Sequence, residues 1–374
     1  MEPSLEVVTG RRQRRRFVDL ARRFRGGSAC YVPPLTGEIA RLLDPDRNPA
    51  LRRARRRLWI ARGPDGEPRG RIGAYWDPRH AEALGEPCGW FGFFDADGPE
   101  TTAALLAAAR DWLREQGARA LLGPADPDTN HECGCLIEGA DEIPYLMMPH
   151  HPPEYAGWLE GAGLAKARDL LAFETVAERM REPLARLDRV ADKALARGGY
   201  RLEPIRRRGF RAAMKAAHEV YNSAWRDNWG FLPLDFDEFW FEARGMKPLL
   251  DPRLAWLAWR GREPVGVIVA LPDANLALKE IDSRLLPTGI LRLPFLLRRI
   301  RRIRTVMLGV KAEHRHRGLD LALVQRLVRC GLEAGYTASE MSWVLEDNEV
   351  MVSLARRYGG RLSRRYRLYR GSLA

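Results

Sequence analysis

The chain has 374 residues, too many for one ordinary domain and enough for two of about 150–200 residues each. Hydrophobic residues make up 45% and charged residues 30%, which excludes a disordered chain and a collagen-like repeat. The net charge of +13 indicates an anionic partner such as nucleic acid, a membrane surface or an anionic ligand, although arginine-rich codon usage explains the same excess.

The N-terminus and the cysteines narrow the class of protein further. The segment Met1–Gly10 has no apolar region typical of a secretory signal, so we predict a cytoplasmic protein, peripheral to a membrane at most. Five cysteines without a Cys-x-x-Cys pair argue against a disulfide framework. Cys133 and Cys135 lie near His131, but no second ligand pair has metal-site spacing, and we predict no metal.

Two β-hairpins are predicted where turn residues separate apolar runs, namely Leu58–Ala61 with Gly70–Tyr75 and Leu254–Trp259 with Val265–Leu271. Their Glu-Pro turns, at 67–68 and 263–264, lie 196 residues apart. Gly163 and Gly359, which each end a short predicted helix, have the same offset. This shared spacing predicts a tandem repeat of roughly 180–190 residues.

Each copy has the same predicted order of elements: two helices, the hairpin, a buried strand, a long helix, a strand, a short helix and a last strand. The buried strands are Trp90–Phe94 and Val306–Val310, and the long helices that follow are Pro99–Gln116 and Leu319–Ala334. Alternating helices and strands indicate an α/β sheet flanked by helices. We place the boundary near 176–183, before an amphipathic helix at Leu184–Ala196, which gives domains 1–178 and 179–374.

The second copy has a basic loop between its buried strand and its long helix. The loop begins at Lys311 and contains Arg315, Arg317 and Gly318. Backbone N–H groups and the helix dipole favour an anion at such a position, and arginines add charge-assisted hydrogen bonds. The alternative is a solvated basic turn.

This loop resembles the pyrophosphate-binding loop of the GNAT superfamily of CoA-dependent N-acyltransferases, Val-x-Pro-x-x-Arg/Gln-x-x-Gly-x-Gly/Ala. Val310 takes the place of the Val, Arg315 that of the Arg/Gln and Gly318 that of the first required Gly. Ala312 stands where Pro is usual and Asp320 where Gly or Ala is usual. A carboxylate at 320 repels a phosphate unless it caps the helix instead.

The resemblance implies two tandem GNAT-like domains, each with a mixed, mostly antiparallel sheet flanked by helices. It implies acetyl-CoA or a longer acyl-CoA as co-substrate, bound by Leu308, Val310, Arg315, His316, Arg317, Gly318, Leu319 and Asp320. In the first copy, Asp95, Asp97 and Glu100 replace the basic residues of the loop. Carboxylates there repel a pyrophosphate, so we expect the first copy to be degenerate and to bind no CoA.

The resemblance also places the acceptor site and the catalytic groups. In GNAT proteins the region between the first helices lines the acceptor pocket, and here it contains Tyr221, Asn222, Trp225, Asn228 and Trp229. At the end of the strand that follows the loop, we predict Glu346 or Asp347 as the base and Asn348 as a positioning residue. The usual general acid, a Tyr, aligns with Ala355, so no acid is assigned. The alternative for both carboxylates is capping of the next helix.

The predicted function is therefore an acyl-CoA-dependent N-acyltransferase acting on a small-molecule or lipid amine, with a sphingoid base as one candidate acceptor. The alternatives are a non-catalytic CoA-binding module and a Fem-type aminoacyl transferase. No basic patch carries an aromatic nucleic-acid motif, so no specific nucleic acid is predicted. In the segment 289–305, Leu296, Ile300 and Ile303 have helical spacing beside arginines. This pattern fits contact with an anionic membrane or a sheet-covering helix with solvated arginines.

Overall fold

A computed structural model describes the chain from residue 3 to residue 373, apart from the side chains of residues 181 and 182. The strands of the first half are β1 (Ser4–Val7), β2 (Arg55–Arg62), β3 (Pro68–Trp76), β4 (Cys88–Ala96), β5 (Ala120–Gly123), β6 (Ala125–Asp126), β7 (Glu132–Cys133), β8 (Cys135–Glu138) and β9 (Ala165–Val176). Its helices are α1 (Arg11–Arg25), α2 (Thr36–Leu42), α3 (Arg79–Leu84), α4 (Pro99–Glu115) and α5 (Glu154–Gly161).

The second half repeats this order. Its helices are α6 (Ala177–Gly198), α7 (Phe210–Ala224), α8 (Phe236–Met246), α9 (Ala274–Glu280), α10 (Gly289–Arg298), α11 (Leu319–Glu333) and α12 (Glu349–Arg357). Its strands are β10 (Tyr200–Pro204), β11 (Ala255–Arg260), β12 (Glu263–Pro272), β13 (Arg302–Val310), β14 (Ala338–Leu345) and β15 (Arg361–Ser372). Short 3-10 helices lie at Pro49–Arg52, Lys247–Leu249 and Ala312–His314. Both predicted hairpins are confirmed, as β2–β3 and β11–β12.

One large sheet runs through both halves in the order β1-β2-β3-β4-β5-β15-β9-β14-β13-β12-β11-β10, and β8 adds to β15. The last strand of each half is exchanged: β15 pairs with β5 of the first half, and β9 pairs with β14 of the second. The two exchanged strands pair with each other at the centre. The ranges 1–178 and 179–374 stay a prediction, since neither contains every strand of its own part of the sheet.

The sheet is mixed and mostly antiparallel, as predicted. In the described part of the chain, the parallel neighbours are β4 with β5 and β13 with β14. These two pairs occupy the same place in the two halves. The resemblance places the CoA site at the second pair.

The two faces of the second half's sheet pack against different helices. On β12, Val267 belongs to an apolar cluster with α7 and α8, whereas Ile268 belongs to a cluster with α11. Successive side chains of a strand point to opposite faces, so α7 and α8 cover one face and α11 the other. α8 begins with a capping box, in which the N–H of Asp235 donates to Glu238 Oε2 at 2.8 Å.

Two helix boundaries differ from the sequence prediction. α6 begins at Ala177 rather than Leu184, because β9 ends at Val176 and the N–H of Ala177 bonds to the carbonyl of Thr337 at 2.8 Å. α10 ends at Arg298, so the helical pattern predicted as far as 303 is wrong there.

The residues after α10 follow the ladder of the sheet instead, since Ile303 pairs with Pro272 of β12. Leu296 and Ile300 are buried, whereas Ile290 and Phe295 are exposed. In the described part of the chain, no helix combines the length and the apolar character needed to cross a membrane.

Candidate functional site

The parallel strands β13 and β14 separate part of the way along their length. They pair only as far as Thr305 and Met341. Beyond this pair, β13 continues to Val310 and β14 to Leu345. This is the separation that the resemblance implies for the pantetheine arm of CoA.

A β-bulge lies at the point of separation. Thr305 and Met307 pair with consecutive residues of β12, so Val306 is the extra residue of β13. A bulge leaves its extra residue outside the regular ladder and bends the strand. The gap between β13 and β14 therefore begins beside a backbone segment whose ladder is interrupted.

The basic loop joins β13 to the N-terminus of α11, as predicted. Gly318 has a φ of 77°, a left-handed conformation that only glycine adopts at little cost. A Cβ at this position would lie 3.2 Å from the Cβ of Ala194 in α6. His316 also has a positive φ of 58°, at a position where the family frequently has glycine. The loop thus has the backbone shape of a tight turn at a helix N-terminus, where the dipole favours an anion.

Arg315 fastens this loop to the end of α7. Its Nη2 donates to the carbonyl of Ala224 at 2.6 Å, and its Nε donates to the carbonyl of Val310 at 3.3 Å. His316 and Arg317 are exposed on the loop. The positive charge of Arg315 is therefore held in one place, while the two following side chains face solvent.

A cavity of about 630 Å³ extends from this loop and the gap to a space between α7 and α8. Most of the predicted cofactor and acceptor residues line it, and it therefore brings together Leu308, Val310, Arg315, His316, Asp320, Tyr221, Trp225, Asn228, Trp229 and Asn348. Its volume is typical of a pocket for a small organic ligand. Six predicted site residues lie outside its lining: Arg317, Gly318, Leu319, Asn222, Glu346 and Asp347.

Two of these six residues make structural contacts that account for their position outside the cavity lining. Leu319 is fully buried in the apolar cluster under α11. The side-chain amide of Asn222 both donates to and accepts from the backbone of Leu234, at 2.9 and 3.1 Å. Asn222 therefore holds the segment before α8 in place rather than facing an acceptor.

The two predicted bases form ion pairs with the exchanged strand β9. Glu346 accepts from Lys166 Nζ at 2.7 Å and from the N–H of Asp169 at 3.0 Å, and Asp347 pairs with Arg168. Because both carboxylates are held by contacts with β9, the geometry does not favour a base role for them. The alternative that they cap α12 is not what the structure has either.

Asn348, rather than either carboxylate, makes the capping contact at the start of α12. Its side-chain oxygen accepts from the N–H of Met351 at 3.1 Å and so caps α12. The same residue lines the cavity. Asn348 therefore fixes the end of the gap at which β14 turns into α12.

The first half contributes polar residues to the cavity that the sequence prediction did not assign. Thr129, Asn130 and His131 lie in the turn-rich segment after β5 and line the cavity. Thr129 Oγ1 donates to the carbonyl of Gly230 at 2.8 Å, and Tyr221 donates through its hydroxyl to Asn130 Oδ1 at 2.6 Å. The turn-rich composition of 123–132 was the available signal, because long loops often carry function.

His131 lies between two carboxylates. Its Nδ1 is 2.9 Å from Asp128 Oδ1, and its Nε2 is 3.4 Å from Glu242 Oε1. Burial disfavours the charged imidazolium, but the two carboxylates outweigh it and raise the pKa of His131 well above its ordinary value. The two carboxylates therefore favour the charged form of His131, in which both ring N–H groups face a carboxylate.

Glu132 lies next to the cavity in sequence but is not part of its lining. It follows His131 and precedes Cys133, which both line the cavity, and it is half-buried. Burial and the nearby Asp126 carboxylate raise the pKa of Glu132 to about 7, against the attraction of Arg304. A carboxylate with such a pKa suits a general base at neutral pH.

The far end of the cavity is apolar. It is lined there by Phe210 and Met214 of α7, Ala243 and Met246 of α8, and Leu250. Polar groups thus surround the gap and the loop, whereas the space between α7 and α8 suits a hydrocarbon chain.

The corresponding place in the first half is filled by the chain itself. Asp95 is fully buried and accepts from Arg25 Nε at 2.6 Å and from Arg71 Nε at 2.7 Å. A Cβ on Gly92 would lie only 1.8 Å from the carbonyl oxygen of Ala125. The segment after β5 therefore lies against β4, where β13 faces the open gap in the second half.

No family model matches the chain. Among curated proteins, it is 34% identical to Protein YghO of Escherichia coli (strain K12), over 91% of this chain and 87% of that protein. It is 32% identical to the bacterial ceramide synthase of Caulobacter vibrioides (strain NA1000 / CB15N), over 96% and 94% of the two chains.

Two solved structures have the same fold. A tandem GNAT protein from the clavulanic acid biosynthesis pathway has a TM-score of 0.57 and 14% identity, over 99% of both chains. A GCN5-related N-acetyltransferase from Sphaerobacter thermophilus has a TM-score of 0.53 and 14% identity, over 100% and 97%. The two structural matches show that the chain has this fold, and the sequence identities of 34% and 32% show that it is related to the two curated proteins. The chain therefore has the fold of tandem GNAT proteins and belongs to the family of Protein YghO and the bacterial ceramide synthase.

Proposed function

We propose that this protein transfers an acyl group from acyl-CoA to the amino group of a lipid. The observation that carries the proposal is the continuity of one cavity from the basic loop, through the gap at Val306, to the apolar space between α7 and α8. The loop suits a pyrophosphate, the gap a pantetheine arm and the apolar space a hydrocarbon chain.

The reaction needs a neutral amine beside the thioester carbonyl. The amine nitrogen attacks the carbonyl carbon, and the negative charge moves to the carbonyl oxygen. A backbone N–H at the bulge around Val306 stabilises that oxygen. The intermediate then expels CoA as the thiolate, and the nitrogen passes its extra proton to this thiolate, which leaves a neutral amide on the acceptor and the free thiol of CoA. The thiol has an ordinary pKa of about 8.5, so departure of the thiolate does not require a strong acid.

Glu132 takes the proton that the acceptor ammonium loses through a water molecule, because its own side chain is not part of the cavity lining. This assignment replaces Glu346 and Asp347, whose carboxylates are bound to β9. Glu242, whose Oε1 lies 3.4 Å from His131 Nε2, lines the cavity and attracts the ammonium group. The polar wall from the first half thus recognises the head of the acceptor.

A long-chain amine such as a sphingoid base is the acceptor class that we favour. The apolar space between α7 and α8 accommodates its tail, and the relative from Caulobacter vibrioides is named a ceramide synthase. A ceramide is an N-acylated sphingoid base, so this name fits the proposed reaction.

The surface of α10 brings the protein to such a lipid. Its exposed apolar side chains are Leu286, Ile290, Leu291 and Phe295, which are 78%, 53%, 70% and 67% exposed. Exposed arginines surround them at Arg284, Arg292, Arg298 and Arg299. We call these eight residues the α10 surface. Apolar side chains ringed by arginines fit the boundary of an anionic bilayer. This proposal keeps exposed side chains of the predicted membrane segment 289–305 and adds Arg284 and Leu286, which precede it.

The test is product formation from palmitoyl-CoA or acetyl-CoA with a sphingoid base, measured by mass spectrometry of the N-acyl product and release of free CoA. We expect one CoA released per amide formed. Release of CoA without an amide, or no turnover with any amine, would contradict the proposal. A reaction with aminoacyl-tRNA but not with acyl-CoA would favour the Fem-type alternative.

A further inference from the structure

A second cavity of about 120 Å³ lies on the opposite face of the sheet from the main one. It is enclosed by α11, α6 and α12, and its wall includes Val324, Leu327, Gly331, Met180 and Ala355. Among the described residues, no charged side chain lines it. Such a wall recognises hydrocarbon and offers nothing to a charged ligand.

The two cavities meet at the gap between β13 and β14. Both are lined by Thr305, Leu308 and Met341. Thr305 and Met341 form the last pair before the strands separate. A flexible chain that enters the gap from the main cavity therefore reaches the second cavity without crossing a paired part of the sheet.

Two small residues keep the second cavity open. Gly331 lies within α11, and a Cβ there would meet only Leu254 and Ile303, at 3.6 and 3.9 Å, which is ordinary contact. Neither backbone conformation nor close packing requires glycine at this position. Ala355 takes the place where the family usually has a tyrosine. A tyrosine ring at this position would occupy the space that Ala355 leaves.

We propose that the second cavity binds the hydrocarbon chain of the acyl donor, and that the protein therefore uses medium- or long-chain acyl groups. The donor chain lies on the α11 face and the acceptor tail lies on the α7/α8 face, so the two chains approach the gap from opposite sides. This inference rests on the proposed function, since it assumes that the thioester lies at the gap.

The test compares two variants that each fill one cavity. Gly331→Phe fills the second cavity, and Met246→Trp narrows the apolar end of the main one. Calorimetric titration of acetyl-CoA, octanoyl-CoA and palmitoyl-CoA gives the dependence of affinity on chain length. In the parent, each methylene that the cavity takes up tightens binding about fourfold. Ala355→Phe serves as a second variant that fills the second cavity. Circular dichroism melting curves check that all variants are folded.

We expect Gly331→Phe and Ala355→Phe to bind acetyl-CoA like the parent and to bind palmitoyl-CoA at least about tenfold more weakly than the parent does. Met246→Trp should keep the chain-length dependence of the parent. Unchanged palmitoyl-CoA affinity in both filling variants, or its loss in Met246→Trp alone, would overturn the assignment.

Titration with palmitate, without CoA, separates the inference from the proposed function. If the parent binds no CoA thioester, the proposed function fails. In that case, loss of palmitate binding in Gly331→Phe but not in Met246→Trp still supports a hydrocarbon site in the second cavity. If the parent binds palmitoyl-CoA but no variant changes the chain-length dependence, the inference fails and the proposed function stands.

Discussion

At the scale of single residues, the central assignment is Glu132 as the base. Its carboxylate has a pKa of about 7 because burial and Asp126 disfavour its charged form. An ionised base acting on an ammonium whose pKa is about 10 gives a rate that rises up to pH about 7 and then stays level until the ammonium itself deprotonates. We therefore predict such a plateau in the rate of the parent protein.

Replacing Glu132 should remove this plateau. In Glu132→Gln we expect a rate about 10²–10⁴-fold lower at pH 7, and the remaining rate should rise with the free amine up to pH about 10. Glu346→Gln is the matched control, since its carboxylate pairs with Lys166, and it should keep the plateau. A plateau retained in Glu132→Gln and lost in Glu346→Gln would restore the base predicted from the sequence.

Replacing Gly318 tests whether the basic loop binds CoA. A β-branched residue cannot adopt its φ of 77° without strain, and a Cβ also approaches Ala194. We expect Gly318→Val to lose detectable binding of CoA in a calorimetric titration. Gly335→Val is the control, because its φ of 84° imposes similar strain with no atom within 4 Å of the added Cβ. Equal affinity for CoA in the two variants would refute the loop assignment.

At the scale of the elements, the sequence predicts structures formed by neighbouring residues better than it predicts pairing between distant strands. The hairpins, the long helices and the basic loop follow from turn residues and apolar spacing within about 20 residues of one another. The exchange of β9 and β15 does not, because it consists of pairings between strands that are far apart in the chain. The same exchange brings Lys166 and Arg168 to Glu346 and Asp347, a contact between distant parts of the chain that the sequence does not predict.

The strand exchange has a consequence for unfolding. Tyr366, Leu368 and Tyr369 of β15 are fully buried between strands of the first half, so neither half keeps its sheet when the other unfolds. We predict a single cooperative transition in urea, with coincident curves from tryptophan fluorescence and circular dichroism. Two separate transitions would show that the halves unfold independently.

At the scale of the whole molecule, we propose that the α10 surface brings the protein to its lipid acceptor. Replacing Ile290, Leu291 and Phe295 with serine removes its apolar part, so we expect at least about a tenfold loss of binding to anionic vesicles in a sedimentation assay. Val190→Ser, at another exposed apolar position (40% exposed), should bind like the parent. Equal binding of the triple variant and the parent would contradict membrane contact through α10.

The two halves of the molecule differ in whether the space at their parallel strand pair is filled or open. In the first half, Arg25 and Arg71 neutralise Asp95, and the segment at Ala125 lies against β4. In the second half, the gap, the loop and the main cavity are continuous. We therefore propose that the first half contributes a polar wall to the acceptor site and that CoA binds in the second half.

The most direct test of this account is the stoichiometry of a calorimetric titration with acyl-CoA, performed on the parent and on Gly318→Val. The account predicts one CoA thioester per chain in the parent and none in the variant. Two CoA thioesters per chain, or one that the variant retains, would contradict the placement of the acyl donor in the second half.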